Sequence, residues 1–187
     1  MIRTTCRALL RLFGWKVDGV APDAPKMVVI AAPHTSNWDF ILMLLMAGAL
    51  GLRISWMGKD ALFRGPFGPI MRRLGGIPVE RGAPQNLVEQ MVDRFAAAER
   101  LVLAVPPEAT RRAADYWKSG FYHIARGANV PVAPSILDYG RKTGGFGPTI
   151  TLTGDVSADM DRFRAVYEGV AGKRPTYQGP IRLREEG

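Results

Sequence analysis

The chain has 187 residues, which suits one domain with a sizeable core and is too short for two comfortable ones. Its hydrophobic share of 47% against 22% charged residues excludes a disordered chain. The net charge of +8 points to an anionic partner, while the single cysteine excludes an internal disulfide and, with only two histidines, leaves too few ligands for a usual zinc site without carboxylates.

Residues 1–20 read as an amphipathic helix. Ile2, Cys6, Leu9, Leu10, Phe13 and Val17 share one face, and Arg3, Arg7 and Arg11 form an adjoining stripe. Such a helix either lies in a membrane interface or packs on its own domain. Arg7 and Arg11 interrupt any signal-peptide core. "KMVVIAA" (26–32) reads as a buried strand, followed by a helix over about 38–51 that Ser36 or Asn37 can cap. That helix belongs to the longest apolar stretch (40–52), which falls short of the roughly 18–20 residues that span a bilayer. Residues 53–58 read as a strand, 65–75 as a short helix bounded by Gly and Pro, and 76–80 as an extended piece. A clear helix covers 84–99, with Leu87, Met91, Val92 and Phe95 on one face. A strand at 100–105 stops at Pro106 and Pro107. Then come a helix (115–128), two strands (130–137 and 147–154) and a last helix (157–172). Residues 173–187 have no strong pattern and read as a tail.

The alternation predicts a single-domain α/β layered fold: a largely parallel or mixed central sheet flanked by helices, over residues 21–172. In such sheets reactive residues sit in loops at the carboxyl ends of strands. His34 falls at such a place.

His34 and Asp39 are five residues apart. On one continuous helix they would point about 140° apart, since each residue turns roughly 100°. Pro33 helps end the strand, however, which puts His34 in a loop and Asp39 in the first helical turn. The loop can fold the imidazole back onto the carboxylate. An imidazole held at one nitrogen presents the other as a general base, worth about 10²–10⁴-fold in rate. Taken alone, His34 also fits a plain turn residue, and Asp39 a carboxylate favoured at a helix start.

More of the pattern follows. "APHTSNWD" (32–39) resembles the H-x-x-x-x-D signature of glycerol-phosphate and lysophospholipid acyltransferases. "GKDALFRGPFGPIMRRLGGIPVER" (58–81), "VPPEATRR" (105–112) and "VPVAP" (130–134) resemble that family's second, third and fourth blocks, in the same order. The resemblance implies transfer of a fatty acyl chain from a coenzyme A or acyl-carrier-protein thioester to a hydroxyl. It implies His34 as the base and Asp39 as its partner. Arg81 would bind an acceptor phosphate, with Glu108, Thr110 and Arg111 completing that pocket, and Lys59, Phe63 and Arg64 lining the same cleft. No cofactor and no metal are expected, and no covalent acyl-enzyme is needed. Two departures stand in the third block: Pro106 where an aromatic is common, and Ala109 where Gly is expected. Gly permits positive φ and close approach by a substrate.

The expected partners are a lysophospholipid acceptor, the thioester donor and an anionic membrane surface, with the protein peripheral on the cytoplasmic face of the cell membrane. Two rivals are weaker. A non-catalytic nucleic-acid binder rests on charge alone, without a recognition motif, so no nucleic acid is expected. A lipid hydrolase lacks a G-x-S-x-G elbow. His123 reads as a packed helix residue and Lys118 as solvated.

Overall fold

Residues 1–79 and 84–186 are described, from a computed structural model of the chain. The strands are β1 (Lys16–Asp18), β2 (Lys26–Ala32), β3 (Ile54–Lys59), β4 (Gly76–Val79), β5 (Leu101–Val105), β6 (Val132–Asp138) and β7 (Thr143–Phe146). Among the described residues they form one sheet, in the order β1-β7-β6-β2-β5-β3-β4. Every neighbouring pair is parallel except β6 and β7, which are antiparallel. At the centre lies β2, whose Met27, Val28, Val29 and Ile30 are all fully buried. A strand with helices on both faces needs such an unbroken apolar run.

The helices are α1 (Ile2–Leu12), α2 (Trp38–Leu50), α3 (Ala61–Arg64), α4 (Gly68–Arg73), α5 (Pro84–Ala97), α6 (Gly120–Gly127) and α7 (Val156–Tyr167). On one face, Val28, Ile30, Leu103 and Val132 meet Met91 and Phe95 of α5, Phe121 and Ile124 of α6, and Met160 and Phe163 of α7. On the other, Met27, Val29, Ala104 and Ala133 meet Ala47 of α2. The helix α1 lies outside α2, with Leu10 fully buried against Leu42, Met46 and Ala49. Gly48 makes that approach possible, because a Cβ there would stand 2.6 Å from the Cys6 sulfur.

Five local expectations change. Lys16–Asp18, read as the end of the first helix, pairs with β7 as β1. The strand over 147–154 is not formed; only Ile150 pairs, in an isolated bridge to Val132. Its place beside β6 goes to Thr143–Phe146. A Cβ at Gly144 would meet the Met46 side chain at 2.6 Å, and one at Gly145 the Asp18 carbonyl at 2.1 Å. The glycines that disguise β7 therefore let α2 and β1 pack against it. Residues 115–119 stay out of α6 because the backbone N–H of Trp117 donates to Arg182 and that of Lys118 to Pro107. The helix foreseen at 65–75 is the shorter α4, and a further short helix, α3, precedes the Gly65–Pro66 break. The tail folds back: Leu183 is buried, and Arg164 donates to the Ile181 carbonyl and the Glu186 carboxylate.

Because β6, β2 and β5 are adjacent and parallel, their carboxyl ends bring together the loops after Ala32, Val105 and Asp138.

Candidate active site

Asp39 is the second residue of α2 and is buried. Its Oδ2 accepts the backbone N–H groups of Thr35 and Ser36, each at 2.8 Å. These bonds fold the loop after β2 back over the helix start. The loop carries His34, whose Nδ1 lies 3.3 Å from the same Oδ2. The second oxygen, Oδ1, accepts the Tyr139 hydroxyl at 2.6 Å. Burial by itself would raise the Asp39 pKa, but hydrogen bonds from His34, Tyr139 and the Ser36 amide outweigh it and hold the carboxyl below its ordinary value. The group is therefore ionised near neutral pH. Burial, and then the Asp39 carboxylate, push the Tyr139 phenol far above its usual range, so it remains a proton donor. With Nδ1 held by carboxylate, Nε2 is the nitrogen left for chemistry in the cleft that His34 lines.

Glu108 grips the loop from the other side. The backbone N–H of His34 donates to its Oε1 at 3.1 Å. Its Oε2 is buried and has no hydrogen-bond partner among the described residues. Burial is the main cause that raises its pKa above the ordinary glutamate value. The next residue, Ala109, has φ of 54°, a left-handed conformation that the glycine expected here would adopt freely. Alanine holds it at a cost of roughly 1–2 kcal/mol.

A cleft of about 630 Å³ opens between α2, the carboxyl edge of the sheet and the α3–α4 segment. His34, Asn37, Asp39, Lys59 and Arg111 supply most of its polar lining. The rest is largely apolar, including Met43, Met46, Ala47, Ile54, Trp56 and Phe146. Its size and its few convergent polar groups suit an elongated ligand with one apolar and one charged end.

Of the residues singled out from sequence, His34, Asp39, Lys59 and Arg111 meet at this cleft. Glu108 instead borders a separate small void with Pro33, Trp117 and Tyr167. Phe63 is buried beside Trp56, their ring centroids 5.9 Å apart. Arg64 is exposed and paired with Asp60. Thr110 is exposed, and its hydroxyl oxygen accepts the Arg112 N–H. Arg81 lies outside the described residues. His123 is exposed, 3.9 Å from Glu185 and away from the cleft lining. Sequence reading missed Tyr139. It stands 100 residues from Asp39, and only the pairing of β6 with β2 brings it close. Among the described residues no group of three or more His, Cys, Asp or Glu side chains could hold a metal ion, and no helix is long and apolar enough to cross a membrane.

The fold is shared with a solved protein, the 1-acyl-sn-glycerophosphate (LPA) acyltransferase PlsC from Thermotoga maritima. The two are 18% identical, with a TM-score of 0.59 over 90% of this chain and 76% of that one. A search of curated proteins finds no match. Residues 18–138 match the sequence model of the family described as Acyltransferase, a span that runs from the end of β1 through the His-Asp loop to the end of β6. With well over half of its length in that match, the chain belongs to the acyltransferase family.

Proposed function

We propose that the protein moves a fatty acyl chain from a coenzyme A or acyl-carrier-protein thioester to the hydroxyl of a lysophospholipid or related glycerol-phosphate acceptor. It works as a peripheral protein on the cytoplasmic face of the cell membrane. One observation carries this reading: an imidazole fastened by Nδ1 to a buried, ionised Asp39, in an apolar cleft that also holds Lys59 and Arg111. The name of the Thermotoga maritima protein supports the acceptor class.

The chemistry follows from the arrangement. Nε2 of His34 takes the acceptor hydroxyl proton as the oxygen attacks the thioester carbonyl carbon. Asp39 stabilises the imidazolium that forms. The Asn37 amide, which lines the cleft at the start of α2, stabilises the tetrahedral oxyanion. The C–S bond then breaks, and the imidazolium proton passes to the leaving thiolate. Lys59 and Arg111, with Arg81, hold the acceptor phosphate, a task for which the planar guanidinium is suited. Glu108 positions His34 through its backbone N–H.

The test is product analysis of the purified protein with an acyl-coenzyme A, with and without lysophosphatidate. Thiol release that needs the acceptor and matches phosphatidate formed supports transfer. Thiol release at the same rate without acceptor, yielding free fatty acid, makes the protein a hydrolase and refutes the reading.

A further inference from the structure

Large apolar side chains stand exposed around one side of the cleft. Trp38 and Ile41 lie in the first turn of α2, Leu62 on α3, Phe67 in the turn between α3 and α4, Ile70 on α4 and Leu74 just after it. Phe67 is 68% exposed, more than a side chain of its size would be if the fold needed it inside. Ile41 and Leu62 belong to the cleft lining as well, which joins this set to the cleft at α2 and at α3. A chain of aromatic rings ties its two halves together: the half-buried Phe40 of α2 contacts Trp56 of β3 with centroids 4.8 Å apart, and Trp56 contacts the buried Phe63 of α3. The turn that presents Phe67 is tight, because a Cβ on Gly68 would fall 2.3 Å from the Phe63 carbonyl oxygen.

The rim is also cationic. Residues 59–74 contain Lys59, Arg64, Arg72 and Arg73, all exposed. Against them stands one carboxylate, Asp60, already paired with Arg64. From the tail, Lys173 lies over the Trp38 ring, 5.2 Å from its centroid.

We infer that this α2–α3–α4 rim is the surface by which the protein docks on an anionic bilayer, with the cleft mouth facing the lipid. Apolar and aromatic side chains enter the boundary between headgroups and acyl chains, while arginine and lysine stems reach the phosphates beside them. An acidic protein would answer to the arginines, but six exposed apolar side chains on the elements that wall the cleft, two of them in its lining, match hydrocarbon better. The inference deepens the membrane part of the proposed function. It leaves α1 free to serve as a packed element of the fold.

The experiment is co-sedimentation of the full chain with vesicles of phosphatidylcholine, alone or mixed with phosphatidylglycerol. Binding to the mixed vesicles that weakens with salt is expected. A Phe67→Ser/Ile70→Ser variant should bind at least about tenfold more weakly, since two large apolar side chains no longer enter the lipid. An Arg72→Gln/Arg73→Gln variant should lose the preference for anionic lipid. A Leu12→Ser/Phe13→Ser variant on α1 should bind like the parent. Unchanged binding in the first variant, or loss confined to the α1 variant, overturns the inference. So does light scattering that shows the rim joining two copies while vesicles are ignored. Acyl transfer with a short-chain thioester and a monomeric acceptor separates the two claims. That activity should survive in the Phe67→Ser/Ile70→Ser variant, and its absence from the parent would refute the catalytic reading while leaving the docking result to stand on its own.

Discussion

His34, Thr35, Ser36 and Tyr139 all converge on the Asp39 carboxylate. That one side chain ties the loop, the helix start and the end of β6 together, and in the proposed mechanism it also steadies the His34 imidazolium. Tyr139→Phe removes one donor and leaves the edge contact with Trp15, whose centroid is 4.9 Å from the Tyr139 ring. The variant should fold and should lose about tenfold in kcat/KM, the worth of a hydrogen bond to a charged group at the lower end of its range. Its stability should change with pH in a defined direction. The folded pKa of Asp39 is depressed, so the stabilisation it brings is present above the ordinary aspartate value and lost as pH falls through the folded one. Without Tyr139 the folded pKa rises, and acid unfolding followed by circular dichroism should begin at a higher pH than in the parent. An unmoved acid transition together with full activity would show that Tyr139 does not act on Asp39. The His-Asp pair itself was legible in the sequence because it is local: a strand, a proline and a helix start within about ten residues place both groups. Tyr139 was not, because nothing near residue 139 says which strand β6 will pair with.

At the level of elements, periodicity succeeded where one face of an element does one job. The buried run of β2, the one-sided α5 and the Pro-stopped β5 all stand within a few residues of where they read. It failed where packing is made by small residues. Gly144 and Gly145 of β7 carry no apolar signal, yet their bare backbones are what α2 and β1 need. The extended Lys16–Asp18 likewise reads as the end of a helix, since Val17 fits the same apolar face as Leu10 and Phe13, and only pairing with β7 makes it β1. The α1 helix presented two choices from sequence, membrane or domain. Leu10 is fully buried in the domain, while Leu12 and Phe13 remain exposed. Leu10→Ala should therefore lower the unfolding free energy by about 2–5 kcal/mol in urea, as a buried leucine does. A loss below about 0.5 kcal/mol would mean that α1 is not part of the core.

For the whole molecule, the fold class and the order of the motif blocks were readable, because alternating strands and helices admit few arrangements. Sheet order was not. Placing β6 and β5 on either side of β2 brings the three loops together, and that is a property of the assembled sheet. The same assembly separates tasks that sequence had grouped. Lys59 and Arg111 reach the cleft, while Glu108 supports His34 from behind it. Charge is also divided: Lys59, Arg111 and the buried Asp39 line the cleft, while the Glu108 carboxyl is buried beside a separate void. The central claim is that His34 takes the proton from the acceptor alcohol. It is tested most directly by the rate of acceptor-dependent acyl transfer in His34→Ala, with the thermal melt recorded to show that the fold is kept. The account predicts a fall of about 10²–10⁴-fold. A folded His34→Ala protein that transfers acyl chains at the parent rate would contradict it.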